Sequence, residues 1–425
     1  MSVDMAKNEY LLIGADQSMY TQKVRAYMRN NAIPFRDVLP DLKMFKTVVL
    51  PNAPYAVIPD LMIVDKATKK YKLIQDSKAI IGHLQKSHGL PVVTGSRRAF
   101  ADMLLEMIID DFFFLHALNW RWGFPTQQKY LEYTFGDTGG KSSEATLKNG
   151  ARVLKLVGSR TASLGLTEKT AEVFREQLDA FLDLLTQHLE SYQFFLGNQP
   201  TLVDYAIYGQ IGSGLFRDPV PYERVTSKYP TVHAYAQRVG GTAVRWGSRD
   251  VVQVEVEGDT VVACESTMGM CRSGTVGTDA ALNGGIPETA TRMTALLLKD
   301  YLTILEPTVG ATLNFLQSQG EKDEVVVPRS FKADKVYEFA LHGRDGKEVR
   351  EKRIVTTHCV WAMQRILDST YLPEQRAEVD SWLAEVGYLQ EWKRIVGIWE
   401  AGGWRVDLTE KGTVGTRKNN SSAKL

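Results

Sequence analysis

Cysteine is rare in this chain of 425 residues. Three are present, Cys264, Cys271 and Cys359, so the first 263 residues contain none. A sparse and odd set of thiols excludes a small secreted fold held together by disulfides and is typical of a protein kept in a reducing compartment. Cys264 and Cys271 are too far apart for a CxxC redox pair, and no histidine is placed to complete a zinc motif, so we expect no metal.

The chain also lacks an excess of charge of either sign and a long uninterrupted hydrophobic run. Lys and Arg number 51 against 50 Asp and Glu, a formal net charge of +1, which leaves no long-range field to attract nucleic acid. The most apolar stretch, residues 103–118, is interrupted by Glu106, Asp110, Asp111 and His116, and the opening MSVDMAKNEY has no apolar signal region. We expect a cytoplasmic protein with neither a nucleic-acid nor a membrane partner.

Changes in hydrophobic patterning divide the chain into three predicted domains, 1–92, 97–245 and 246–425. In the first, short apolar runs alternate with amphipathic segments. The runs predict strands at 10–14, 33–38, 56–64 and 71–74, and the amphipathic segments predict helices at 18–31, 41–49 and 77–88. The order βαβ, then α, then ββα predicts a small mixed α/β sheet packed between helices.

The second and third regions have different patterns. Residues 99–119, 143–156, 167–191 and 202–215 carry apolar residues at three-and-four spacing, which predicts an all-helical domain. Thr201 and Asp204 have the spacing of a helix capping box. Beyond residue 245 the pattern predicts an α+β extension with hairpins at 250–264 and 335–356, a Gly-rich stretch at 269–285, helices at 286–318, 360–368 and 374–399, and a frayed polar terminus from 412.

The first chemically informative residue is Pro59, inside the apolar run 56–64. Proline cannot donate to a β-ladder, so Pro59 marks either the end of a strand or a cis Ile58–Pro59 bond. In the second case the backbone of Ile58 is offered to a peptide-like ligand as if to a neighbouring strand.

Four motifs in the same order and spacing resemble the glutathione transferase superfamily over residues 8–240. They are SMYTQKVR at 18–25, VIP at 57–59, QDS at 75–77 and the Thr201 capping box. The resemblance implies a thioredoxin-like N-terminal domain followed by a helical C-terminal domain of the same superfamily, with residues 246–425 as an additional extension. It also implies glutathione as co-substrate, a small electrophilic acceptor and a homodimer.

By the same resemblance, Ser18 occupies the position at which serine-type members hydrogen-bond the glutathione sulfur. A thiol of pKa about 8.5 must fall by about 1.5 units to be half ionised at pH 7, which requires about 2 kcal/mol. A helix N-terminus contributes about 0.3–1 kcal/mol and a hydrogen bond to a charged acceptor about 1.5–3 kcal/mol, so the two together suffice. The alternative is that Ser18 only caps its helix. Tyr20 and Tyr10 are fallback donors.

The resemblance also implies a glutathione-binding set consisting of Ile58, Pro59, Gln75, Asp76 and Ser77. Asp76 would pair with the γ-glutamyl ammonium, and Ser77 with its amide would hold the adjacent carboxylate at a helix N-terminus. The alternative is again helix capping. Residues 52–56 depart from the pattern that usually precedes the proline. The resemblance therefore does not identify the residue that binds the glycine carboxylate of glutathione, and Lys43 and Lys46 are the candidates.

The aromatic stretch DDFFFLHALNWRWGF at 110–124 corresponds to the superfamily helix that faces the bound sulfur. Taken alone, a run of this density is more often part of a hydrophobic core than of a pocket. We take as acceptor-site candidates Phe113, His116, Trp120 and Arg121, with Arg121 able to hold an acidic substrate or to pair with a nearby Asp.

The leading hypothesis is a glutathione transferase that directs the thiolate to an electrophile by conjugation, dehalogenation or ether cleavage. One alternative is a non-catalytic binding protein that uses the same fold and presents residues 246–425 to a partner. Another is an enzyme whose chemistry is supplied in part by His358 or Cys359, an adjacent pair without a visible third member.

Overall fold

A computed structural model describes residues 7–137, 142–241, 252–257, 260–266, 285–331 and 336–418. The N-terminal region contains a four-stranded sheet in the order β2–β1–β3–β4. Strand β1 pairs parallel with β2 and antiparallel with β3, and β3 pairs antiparallel with β4. This arrangement confirms the predicted thioredoxin-like fold. Its strands are β1 (Asn8–Ile13), β2 (Arg36–Val38), β3 (Asp60–Asp65) and β4 (Tyr71–Gln75).

The helices of this region begin and end close to the predicted positions. Strand β3 is the main difference, because it begins only at Asp60 and residues 56–59 form a loop. The helices are α1 (Met19–Asn30), α2 (Leu42–Met44), α3 (Leu50–Asn52) and α4 (Ser77–His88), with one π-helical turn (Phe45–Val49) between α2 and α3.

The next region is all-helical, as predicted. The capping box at Thr201 and Asp204 is present, with the Thr201 amide donating to Asp204 Oδ2 at 2.9 Å. No described helix is long and apolar enough to cross a membrane. The helices are α5 (Ser96–Ile108), α6 (Phe114–Trp122), α7 (Gln128–Gly136), α8 (Ser143–Ser163), α9 (Glu168–Leu189), α10 (Leu202–Gln210), α11 (Pro219–Lys228) and α12 (Pro230–Val239), with π-helical segments Ile109–Phe113 and Ile211–Leu215 and a 3₁₀ turn Pro125–Gln127.

The C-terminal extension mixes helices with short sheets, which confirms an additional α+β region. Both predicted hairpins are present, β5 with β6 and β8 with β9. Residues 269–284 of the Gly-rich stretch, and with them Cys271, lie outside the described residues. The elements are β5 (Val252–Glu257), β6 (Thr260–Ser266), α13 (Glu288–Gln317), β7 (Glu324–Val326), β8 (Val336–His342), β9 (Glu348–Ile354), α14 (His358–Thr370), α15 (Arg376–Val386), α16 (Leu389–Ala401), β10 (Trp404–Thr409) and β11 (Gly412–Arg417).

Two predictions for the extension were wrong. The helix expected over 374–399 is two helices, because Gly387 adopts a φ of +94° and ends α15. The terminus expected to fray from residue 412 contains strand β11, which pairs with β10 on one side and β7 on the other. Strand β10 forms a local hairpin with β11, whereas β7 has three residues and is remote in sequence, so its pairing with β11 is a tertiary effect.

The extension shares one hydrophobic core with the helical domain. Phe100 of α5 contacts three aromatic rings of the extension, with centroid distances of 5.7 Å to Tyr371, 6.2 Å to Trp382 and 5.4 Å to Trp392. Helix α13 packs along α9, and α14 packs along α5. Burial of a large apolar side chain in this core adds about 1.5–3 kcal/mol to the free energy of unfolding. The extension is therefore an integral layer of the fold.

Candidate functional site

The loop before β3 has the backbone geometry expected at a peptide-binding edge. The Ile58–Pro59 bond is cis, which confirms one of the two readings of Pro59. Gln75, at the end of β4, fastens this loop: its Oε1 accepts from the Tyr55 amide at 3.0 Å, and its Nε2 donates to the carbonyls of Tyr55 and Val57 at 2.9 and 3.1 Å. The amide of Gln75 is thus used to position the loop.

Asp60 follows the cis proline and is fully buried. Its Oδ1 accepts from Gln75 Nε2 at 2.8 Å, whereas its Oδ2 has no partner among the described residues. Burial raises the pKa of Asp60 to about 7, and the hydrogen bond from Gln75 only partly opposes this.

An Asp60→Asn variant is expected to be more stable than the parent by about 2 kcal/mol at pH 8, because no charge is then buried. The unfolded carboxyl ionises near its ordinary pKa of about 3.9 and the folded one near 7. The folded state therefore holds the extra proton between those values, and the parent loses stability as pH rises through that window. Urea unfolding at pH 5 and pH 8 measures the effect, and an unchanged pH dependence in the variant would contradict it.

Asp76 caps helix α4 and also contacts the extension. It adopts a φ of +83°, and its Oδ1 accepts from the Lys78 and Ala79 amides at 2.8 and 3.4 Å. Its Oδ2 lies 3.1 Å from Nε2 of His358, at the start of α14. Burial alone would raise the pKa of Asp76, but the charges of His358, Lys78 and Arg329 outweigh it and hold that pKa well below its usual range.

Two cavities meet at Asp76. The loop cavity, about 320 Å³, lies between residues 52–55, β4 and residues 408–410. The central cavity, about 520 Å³, lies between residues 56–59, residues 76–78, the α5–α6 segment and the extension. Asp76, Arg329 and His358 line both cavities, so they form the boundary between them.

The structure brings most of the predicted glutathione-binding residues to these cavities. Ile58, Pro59, Asp76 and Ser77 line the central cavity, and Gln75 lines the loop cavity. The anchors considered for the glycine carboxylate, Lys43 and Lys46, line neither.

Ser18 has a different position. It is half-buried at the start of α1, where its Oγ accepts from the Thr21 amide at 3.2 Å, and it lines neither cavity. That bond confirms the capping role and leaves the hydroxyl hydrogen free to be donated. Tyr20 lines the central cavity, and its hydroxyl donates to the Asp110 carbonyl at 2.7 Å. Burial, with Asp110 and Asp111 nearby, raises the pKa of Tyr20, so this hydroxyl stays protonated.

Comparison with known protein families gives a match in the helical domain. Residues 166–238 match the family model of the glutathione S-transferase C-terminal domain, and they follow a thioredoxin-like domain with a cis proline. Residues 166–238 therefore form a domain of the glutathione S-transferase C-terminal family.

Several solved structures resemble part of the chain. FzlA from C. crescentus is 14% identical, with a TM-score of 0.36 over 55% of this chain and 90% of that one. A glutathione S-transferase from Methylobacterium radiotolerans, in complex with glutathione sulfonate, is 17% identical, with a TM-score of 0.34 over 59% and 100%. Maleylacetoacetate isomerase from Anaeromyxobacter dehalogenans, with bound glutathione, is 14% identical, with a TM-score of 0.31 over 56% and 98%. No curated protein matches the sequence.

The four acceptor-site candidates lie in the interior of the superfamily's helical domain. Phe113 and His116 are fully buried and stack at a centroid distance of 5.0 Å. Burial lowers the pKa of His116 to about 4, so the ring is neutral. Trp120 stacks on Phe124, and Arg121 pairs with Asp218 at 2.7 Å. None of the four lines either cavity, so the structure places them in the core and not in an acceptor pocket.

The structure adds cationic residues to the central cavity that the motifs did not predict. Arg353 of β9 is 1% exposed, and its Nη2 donates to the Asp111 carbonyl at 3.2 Å and lies 3.5 Å from Asp111 Oδ1. Arg329 and Arg160 line the same cavity. Arg329 and Arg353 come from the extension, and no local sequence signal connects them to residues 56–77.

A buried network of charges lies beside the central cavity. Lys23 of α1 contacts Glu106 Oε1 at 2.6 Å and Asp110 Oδ2 at 2.7 Å, and Lys78 of α4 also pairs with Asp110. Arg365 of α14 lies 3.6 Å from Glu106. Burial alone would raise the pKa of Asp110, but Lys23 and Lys78 outweigh it and hold that pKa below its usual value. The network therefore joins the N-terminal domain, α5 and the extension at the cavity wall.

Proposed function

We propose that this protein is a glutathione transferase that binds glutathione in the central cavity and delivers its thiolate to a small electrophile. The observation that carries the proposal is the meeting of three features at one cavity: the cis Ile58–Pro59 loop, the N-terminus of α4, and the carboxylate of Asp76. Glutathione is a tripeptide with an ammonium group and two carboxylates, so it offers a partner for each. A volume of about 520 Å³ lies in the range of small-molecule sites.

Three groups of glutathione have a partner in this proposal: the peptide backbone, the γ-glutamyl carboxylate and the ammonium. The backbone at Ile58 pairs with the extended peptide, as in strand addition. The γ-glutamyl carboxylate is bound by the hydroxyl and the amide of Ser77 at the N-terminus of α4, where the helix dipole favours an anion. The next two amides, of Lys78 and Ala79, already donate to Asp76 Oδ1. The ammonium binds to Asp76 Oδ2, because Asp76 Oδ1 already accepts a hydrogen bond from the Lys78 amide in the cap of α4.

The chemical step begins with the thiol. The thiol releases its proton to water, and the predicted donor to the resulting thiolate is the hydroxyl of Ser18. Ser18 does not line the central cavity, so this role requires the sulfur to extend toward the start of α1; Tyr20, which lines the cavity, is the alternative donor. The sulfur supplies the electron pair of the new C–S bond. In a substitution the leaving group departs with its own electron pair, and in an addition the acceptor takes up a proton.

An Asp76→Asn variant is expected to bind glutathione at least tenfold more weakly than the parent, since a charge-assisted contact is worth about 1.5–3 kcal/mol. Asn also caps helices well, so the fold of α4 is retained. Isothermal titration calorimetry with the full chain measures the change. Asp345→Asn, in an exposed turn, is the matched control and should bind like the parent. Absence of binding by the parent at millimolar glutathione would reject the proposal.

A second candidate is a non-catalytic binding protein, and one observation favours it. His358 already lies 3.1 Å from Asp76 Oδ2, where the ammonium of glutathione would bind. A His358→Ala variant separates the two functions. In an enzyme whose substrate displaces His358, this change strengthens glutathione binding. In a binding protein with a closed site, neither parent nor variant forms a conjugate with a reactive aryl halide.

We also propose a cytoplasmic homodimer. Light scattering of the purified chain measures the oligomeric state directly, and a monomeric mass would contradict the dimer.

A further inference from the structure

The central cavity contains more positive charge than its carboxylates neutralise. Lys78 pairs with Asp110, Arg353 with Asp111, and His358 with Asp76. Arg329 and Arg160 complete the cationic lining, and no carboxylate of the described residues lies within 4.0 Å of either guanidinium. The surplus of cations is thus located at the side of the cavity formed by the extension and α8.

Arg329 is held in place without an ion pair. Its guanidinium lies over the Tyr55 ring at 5.0 Å, which uses the face of the group and leaves its N–H edge available. Its carbonyl accepts from the Thr357 amide at 3.0 Å, so the backbone is fixed beside α14. A planar guanidinium held in this way is suited to bidentate binding of a carboxylate.

Arg353 gives a second indication of a polar ligand. Its side chain is 1% exposed, and its Nε has no hydrogen-bond partner among the described residues. Asp110 Oδ1 and Asp111 Oδ2, in the same lining, are also unpartnered, but as acceptors they take a hydrogen-bond donor such as water and not an anion. Buried polar atoms of this kind are normally satisfied by protein, water or a ligand.

The lining also contains apolar side chains. Met107 and Phe114 contribute from the helical domain, with Leu164, and Ile354 and Ala362 contribute from the extension. A lining that combines apolar side chains with three arginines matches an organic molecule that has a hydrophobic body and an anionic end.

We propose that the acceptor substrate carries a carboxylate, and that Arg329, Arg353 and Arg160 form the subsite that binds it in the central cavity. This inference rests on the proposed glutathione transferase function and assigns the extension a role in substrate selection. A carboxylate at this subsite places the apolar body of the acceptor against Met107 and Phe114, within the cavity that holds the Ile58–Pro59 loop.

The test uses the full chain and four ligands in calorimetry: glutathione, S-benzylglutathione, and the 3- and 4-carboxybenzyl conjugates of glutathione. We expect at least one carboxybenzyl conjugate to bind about tenfold or more tightly than S-benzylglutathione. Arg329→Gln and Arg160→Gln should each reduce that ratio several-fold. Arg160→Gln should leave the affinity for S-benzylglutathione unchanged, whereas Arg329→Gln should also lower it by a smaller factor, because Arg329 favours the ionised form of Asp76. Arg350→Gln, an exposed arginine of β9 paired with Glu348, is the matched control and should keep the parental ratio.

The other outcomes are distinguishable. If S-benzylglutathione binds and neither carboxybenzyl conjugate binds more tightly, the acceptor inference is overturned and the glutathione transferase proposal stands. If Arg329→Gln weakens all the ligands equally, Arg329 binds a carboxylate of glutathione itself, and the acceptor inference is again overturned. If glutathione and every conjugate fail to bind, the proposed function fails and this inference fails with it.

Discussion

An Asp110→Ala variant is expected to lose about 3–5 kcal/mol of its free energy of unfolding, the largest effect of any single change considered for this chain. Asp110 is the carboxylate shared by Lys23 and Lys78, and both lysines are almost fully buried. After the substitution Lys23 keeps Glu106, whereas Lys78 has no remaining ion-pair partner among the described residues. An uncompensated buried ammonium is the source of the loss. Urea unfolding followed by tryptophan fluorescence measures it.

A surface pair provides the control for this prediction. Glu306 and Arg394 are 2.6 Å apart and both partly exposed, so Glu306→Gln should change stability by less than about 1 kcal/mol. The depressed pKa of Asp110 adds a pH signature. The stability that ionised Asp110 contributes is fully present above the pKa of the unfolded carboxyl, about 3.9. It is lost as the pH falls through the lower pKa of the folded state. If Asp110→Ala loses no more stability at neutral pH than Glu306→Gln does, the assigned network of buried ion pairs is contradicted.

A Ser18→Ala variant is expected to lower kcat/KM by about tenfold to a hundredfold, the effect of removing one hydrogen bond to a charged acceptor. The same change should raise the pKa of the bound glutathione thiol by about 1–2 units. Ultraviolet absorbance of the thiolate, followed against pH in the complex, measures the pKa directly. Cys359 lines the same cavity, so the thiolate of the ligand is measured as the absorbance of the complex minus that of the chain alone.

Tyr20→Phe is the matched comparison, because it removes one hydroxyl and keeps the ring. Tyr20 lines the central cavity, but its hydroxyl already donates to the Asp110 carbonyl. We therefore expect a change in the thiol pKa smaller than that of Ser18→Ala. A thiol pKa that rises in Tyr20→Phe and not in Ser18→Ala would transfer the role to Tyr20.

Features of the candidate site that depend on neighbouring residues could be predicted from the sequence. The cis Ile58–Pro59 bond, the cap at Asp76 and the box at Thr201 each have a cause within a few positions of the chain. The order of a mixed sheet followed by amphipathic helices could also be predicted, because the spacing of the apolar residues changes between the first and the second domain.

Features that depend on distant packing could not be predicted in this way. Arg329 and His358 reach Asp76 from more than 250 positions away, and no local pattern marks them. The aromatic stretch at 110–124 was visible in the sequence, but its role could not be predicted. A helix rich in aromatic residues has the same sequence whether it lines a pocket or fills a core, and Phe113 and His116 are in the core.

The contact of Phe100 with Tyr371, Trp382 and Trp392 has a consequence for how the protein is made. Synthesis proceeds from the N-terminus, so α5 leaves the ribosome long before the rings that cover it. Phe100 is therefore not covered by these rings until the chain has been synthesised as far as Trp392. The helical domain therefore reaches its final packing late in biogenesis, and the two-domain portion on its own is an incomplete folding unit.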